Sequence, residues 1–121
     1  MNQTEFTEKY LNIVKDAIQC SKKAKREGLL ALEEDLDIEK IENRDIFQYG
    51  LRFVIDGTKK ELIEKILSNI IDQEKDEQLH ILKTIQKEAV IAIQEGLKPR
   101  LLAALLNSLT DNIQLDEEEY E

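Results

Sequence analysis

Residues 58–95 read TKKELIEKILSNIIDQEKDEQLHILKTIQKEAVIAIQE, and the fold turns on whether this stretch is one helix or two. Leu62, Ile63, Ile66, Leu67, Ile70 and Ile71 recur at the three-and-four spacing of an amphipathic helix. Residues 72–78 (DQEKDEQ) then carry no apolar side chain, after which Leu79, Leu82, Ile85, Ala89 and Ile93 resume the same period as far as Gly96. Between Ile70 and Gln86 there is no glycine, proline or asparagine, so a turn has little local chemistry to support it. Glu, Lys, Gln and Leu all favour helix. The stretch is therefore expected to be one continuous helix, about 57 Å long at 1.5 Å per residue. Such a rod cannot fold one half back on the other. Its apolar faces would need a second chain, giving a dimer with exchanged helices that cross at the polar belt 72–78.

Upstream, Asp56-Gly57-Thr58 is the clearest boundary in the chain. Gly57 suits the left-handed position after a helix over Asp45–Ile55, whose Phe47, Leu51, Val54 and Ile55 share one face. Thr58 and Glu61 have the spacing of a capping box for the next helix. Residues 37–43 read as a connection. The first helix opens at Asn2, with Glu5 three residues on, and buries Phe6, Tyr10, Ile13, Val14, Ala17 and Ile18. Because Leu29, Leu32 and Leu36 keep its period, the pattern predicts that it continues through Gly28. Downstream, Gly96 ends a helix and Pro99 opens a last one, whose leucine row 101–109 is assigned to the core. No stretch alternates with period two. The expected fold is all-α, a small bundle of four to five helices forming one domain over 1–110. Residues 111–121, ending in Asp116–Glu121 (DEEEYE), are expected to be a solvated, disordered acidic tail.

The composition narrows the function classes. Of 121 residues, 41% are hydrophobic and 36% charged, which opposes collagen-like, low-complexity and strand-rich folds. A net charge of −9 opposes non-specific nucleic-acid binding, whose affinity rests on neutralising phosphates. The local exception is a basic run, Lys22, Lys23, Lys25 and Arg26. No apolar run approaches the roughly 20 residues that span a bilayer, and the acidic start MNQTEFTEKY does not read as a targeting sequence. The lone Cys20 allows no internal disulfide, fits a reducing cytoplasm, and is expected to be a buried structural thiol. A single histidine, His80, excludes a histidine-based triad or a multi-histidine metal site. With no phosphate-binding glycine loop either, no catalytic, metal or cofactor residue is assigned, and a non-enzymatic role is expected.

Three segments carry more specific information. Ala24–Glu33 reads AKREGLLALE, Phe47–Gly57 reads FQYGLRFVIDG, and Ala92–Leu106 reads AIQEGLKPRLLAALL. In this order they resemble the cytoplasmic parts of MotA-type flagellar stator subunits, relatives of the TolQ/ExbB proton-channel proteins. That family shows A-x-R-E-G-L-L-A-L-E, then F-x-x-x-G-L-x-x-x-V-D-G before a further helix, then a segment close to A-I-Q-E-G-x-N-P-R. The matched segments cover about half of the residues.

The departures qualify what the resemblance implies. The family's membrane helices have no counterpart here, including the two due between about Glu77 and Lys87, so no residue inherits a role in proton conduction. Lys98 stands where the family has an asparagine before Pro99, which removes an N-cap side chain. Lys25 takes the place of an arginine, keeping charge without the bidentate fork. Glu33 matches the acidic member of a basic/acidic pair implicated in contact with charged residues of the rotor switch protein. The resemblance thus implies a soluble, cytoplasmic, flagellar-motor-associated protein. It would bind the rotor switch protein, a stator subunit or another motor component through Lys22, Lys25, Arg26, Glu33 and Glu34. The alternative is a helical oligomeric scaffold or regulatory protein unrelated to motility.

Overall fold

A computed structural model of the chain describes residues 1–37, 41–42 and 45–110. Among these the structure is all-helical, with no strand. In order it has α1 (Gln3–Glu27), a 3-10 segment (Leu29–Asp35), α2 (Ile46–Ile55), α3 (Lys60–Ile71), α4 (Glu77–Glu95) and α5 (Pro99–Asn107). The expected acidic tail 111–121 and residues 38–40 and 43 of the expected connection 37–43 lie outside the described residues.

The stretch 58–95 is a hairpin, not a rod. α3 stops at Ile71 and α4 starts at Glu77, and the two pack against each other. The polar belt supplies turn chemistry through carboxylates rather than through glycine or proline. Asp76 is the N-cap of α4, its Oδ1 accepting the Leu79 amide at 2.9 Å. Glu74 Oε2 accepts the Asp76 amide at 3.1 Å, while its Oε1 accepts Lys83 Nζ at 2.8 Å. That pairing, helped by the backbone amide of Asp76, holds the Glu74 carboxyl below its usual range. Lys87 Nζ donates to Ser68 Oγ across the hairpin at 3.2 Å. The helix-exchanged dimer was inferred from a continuous rod, and that premise does not hold.

α1 ends at Gly28 instead of running to Leu36. Gly28 has φ 93 and ψ 159, a conformation open in practice to glycine alone, and its amide donates to Ala24 O at 2.8 Å. The LLALEED segment beyond it winds as a 3-10 helix, whose threefold repeat buries Leu32 and leaves Leu30 69% exposed. Thr58 does not cap α3. The N-cap is Lys59, with no side-chain bond, while the Thr58 amide closes the end of α2 onto Phe53 O and its carbonyl accepts Gln94 Nε2 at 2.8 Å. Other expectations hold: Asn2 Oδ1 accepts the Glu5 amide, Gly57 and Gly96 are left-handed at φ 79 and 75, and Pro99 is the first residue of α5.

α4 is the central strut, packed against α1, α2, α3 and α5. Its run Ala89–Ile93 is buried at five consecutive positions, so the helix is enclosed on every side there. α2 crosses it closely at Gly50, where an added Cβ would meet both γ-carbons of Val90 at 2.9 Å and Leu67 Cδ1 at 3.0 Å. The leucine row divides: Leu102 and Leu106 are fully buried, Leu105 half-buried, and Leu101 and Leu109 exposed. No helix among the described residues is long and apolar enough to cross a membrane.

Candidate functional site

The basic run falls on the last two turns of α1, where backbone carbonyls without helical partners favour cations. Lys22, Lys25 and Arg26 are exposed there, and Arg26 Nη2 meets the neighbouring Glu27 Oε2 at 3.3 Å. Lys25 has a further task. Its Nζ lies 2.6 Å from Gly96 O, the carbonyl of the residue that caps α4, so it ties the end of α1 to the end of α4. Ser21, one turn earlier and buried, donates to Leu97 O at 3.1 Å. The two bonds fix the corner where α1 meets the α4–α5 junction.

The acidic side is arranged differently from a single helical ladder. Because α1 ends at Gly28 and does not run on to Leu36, Lys25 and Glu33 do not share one helix axis. Glu33 and Glu34 are exposed. Glu34 is paired within the chain: Lys23 Nζ reaches Glu34 Oε2 at 3.1 Å and Asp35 Oδ2 at 3.0 Å. The pull of Asp35, then Glu34, raises the Lys23 pKa. Lys23, a member of the basic run outside the expected partner-binding set, is the cation that closes the 3-10 segment onto α1. No sequence signal separates it from its neighbours, because its role depends on the break at Gly28.

Between α1, the 3-10 segment and α2 lies an open cleft of about 570 Å³, with Lys22, Lys23 and Arg26 at its rim and Leu32, Phe47 and Leu51 among its walls. Cys20 lines it. Burial first, then the nearby charges of Asp35 and Asp16, push its thiol up to about 11, so it stays protonated at neutral pH and is a poor nucleophile. His80 sits half-buried beside the α3–α4 turn, its Nε2 4.0 Å from Asp72 Oδ1. Among the described residues, no three His, Cys, Asp or Glu side chains converge as a metal site would require. The five residues chosen from sequence thus divide. Lys22, Arg26 and Glu33 present charge outward, while Lys25 and Glu34 also hold the fold together.

Comparison with curated proteins finds Motility protein A of Borreliella burgdorferi, 34% identical over 107 residues. The match takes in 87% of this chain and 40% of that protein, so the chain spans well under half the length of the relative. No protein-family model matches the sequence. No solved structure matches it.

Proposed function

We propose that this chain is a motility-related, stator-like protein that binds a rotor or other motor component through the charged surface at the end of α1 and the 3-10 segment, without enzymatic activity or proton conduction. The observation that carries the reading is the similarity to Motility protein A across most of the chain. It is supported by the exposure of Lys22 and Arg26 before the break at Gly28 and of Glu33 after it. Exposed charges contribute about 0–1 kcal/mol per pair to folding, and such groups act instead on encounter and register with a partner of opposite charge. The partner would be acidic where it meets Lys22 and Arg26 and basic where it meets Glu33, as a rotor switch protein is expected to be from the family resemblance.

The experiment is binding of the purified chain to a rotor switch protein, with reversal of the outward charges Lys22→Glu, Arg26→Glu and Glu33→Lys. Lys25 is left in place, because a glutamate there would set a carboxylate against the Gly96 carbonyl and disturb the α1–α4 corner. Binding is expected to weaken, most of all at low salt, with the helical circular dichroism unchanged. Equal binding by the reversed variant would favour the second reading, a helical scaffold unrelated to motility. One observation speaks for that alternative: Lys23, Lys25 and Glu34 are committed to contacts within the chain.

A further inference from the structure

We propose that the cleft between α1, the 3-10 segment and α2 is the socket for an apolar side chain of the protein partner, oriented by neighbouring carboxylates that meet Lys22 and Arg26 at its rim. The inference rests on the partner-binding role proposed above and names the part of that surface that supplies the hold. Exposed charges speed encounter and set register, whereas most of the affinity of a protein complex comes from a few anchors seated in pockets. The charged end of α1 has such a pocket beside it. Leu32 and Leu51, both fully buried, close its floor, and Leu36 and Phe47 line it while only half-buried. On the α1 wall the Cys20 thiol stays protonated at neutral pH, so it adds no charge to the apolar surface.

The rim carries charge in a definite order. Asp16 and Arg26 stand at the two ends of the α1 wall, about 15 Å apart at 1.5 Å per helical residue. Lys23 and Asp35 also line the cleft, but they satisfy each other at 3.0 Å. Lys22 and Arg26, one turn apart and both exposed, are therefore the open charge at the end next to Gly28, in a chain of net charge −9. Arg26 meets its neighbour Glu27 and still keeps its side chain 69% exposed. Along the helix axis Cys20 lies about 3 Å from Lys22 and about 9 Å from Arg26. The matching segment is a helix with an aromatic or leucine side chain and, within about two turns of it, two carboxylates one turn apart. Its direction is fixed as well, because carboxylates placed at the other end would face Asp16. A side chain delivered by a protein fits an open cleft better than a free small molecule does. The partner's own surface seals the anchor from water, while a small ligand needs a site that encloses most of it.

The test is the kinetics of binding to purified rotor switch protein, measured by surface plasmon resonance on the full chain with its cleft filled from either side. Gln19→Trp, at an exposed position of α1, and Gln48→Trp, at a half-buried position of α2, each bring an indole to the cleft without removing a core side chain. Each is expected to speed dissociation by about tenfold or more, and the effect should persist at high salt, where that of charge reversal fades. Gln73→Trp, exposed at the α3–α4 turn, should bind as the native chain does. In NMR spectra of the native chain, the Leu36 methyl and Phe47 ring signals are expected to shift when the partner is added. Unchanged dissociation in both filled variants, with charge reversal still weakening binding, would overturn the anchor and leave the proposed function standing. If the signals of 37–43 were also displaced in those variants, the cleft would belong to the chain's own connection. Equal weakening by Gln73→Trp would overturn the proposal, and so would Leu36 and Phe47 signals that shift with protein concentration alone, which would assign the cleft to a second copy. No binding by the native chain would overturn both readings.

Discussion

At the residue scale, two positions separate packing from chemistry. Gly50 is small because α2 has to approach α4. The β-branched Val90 is stiff in its helix, and Leu67 is fully buried, so neither yields readily to an added methyl. Gly50→Ala is expected to lose about 1–2 kcal/mol in urea denaturation, an overpacking cost of about 1–3 kcal/mol partly offset by better helix propensity. A gain in stability would mean the two helices are less tightly engaged than the contacts indicate. Cys20 gives the second prediction. With its thiol pushed up to about 11, its reaction with a disulfide reagent at mildly alkaline pH should be more than about tenfold slower than that of an unhindered cysteine. The linkage has a definite sign. The folded thiol keeps its proton while the unfolded one loses it near the ordinary 9.0, so stability should fall as pH rises from about 9 towards 11. Cys20→Ser should flatten that decline, and an unchanged slope would assign it to other groups.

At the scale of elements, the α3–α4 hairpin decides the topology, and its turn is built from Asp and Glu side chains. Removing the N-cap by Asp76→Ala should cost about 1 kcal/mol. Glu74 adds a pH signature. Its carboxyl is held low by Lys83 and the Asp76 amide, so its contribution is present above the ordinary carboxylate range and is lost as pH falls through the folded value. Glu74→Gln should therefore destabilise the protein at neutral pH and converge with the native chain in acid. Parallel stability curves down to acid pH would show that the pair with Lys83 does not close the hairpin. The turn is hard to read in the sequence because it contains no glycine, proline or asparagine. An aspartate three residues before the first apolar position of a new period, here Asp76 before Leu79, was the signal present. The end of α1 is hidden in the sequence for a related reason. Leu29 and Leu32 fit both a helical period and the shorter repeat of a 3-10 segment, while Leu36 lies just past its end at Asp35.

At the scale of the whole molecule, closure of the hairpin within one chain changes the expected assembly. α4 is covered by four neighbouring helices from the same chain. The accessible surface is 7378 Å², near the roughly 6700 Å² expected of a folded monomer of this mass. Light scattering in the tens-of-micromolar range is accordingly expected to report a mass close to 14.1 kDa. Twice that mass at all concentrations would restore the exchanged dimer and require the turn at 72–76 to open. The large apolar positions that face solvent, Leu30, Leu62 and Leu101 among them, lie on three different elements.

The helical class, the caps at Asn2, Gly57, Gly96 and Pro99, and the division into elements around Gly57 and Gly96 were all present in the sequence, because each rests on interactions within a few residues. So was the similarity of three separated segments to a stator-type cytoplasmic region, which agrees with the match to Motility protein A. What the tertiary structure alone decided depends on residues far apart in the chain. Folding α3 back on α4 brings Ser68 to Lys87, and the break at Gly28 brings Lys23 to Glu34 and Asp35. The meeting of two helix ends turns Lys25 from a docking charge into a clasp on Gly96. Local preference is summed along the chain, whereas these contacts arise only once burial of Ala89–Ile93 has gathered four helices around α4, and no local pattern encodes which charges that gathering brings together.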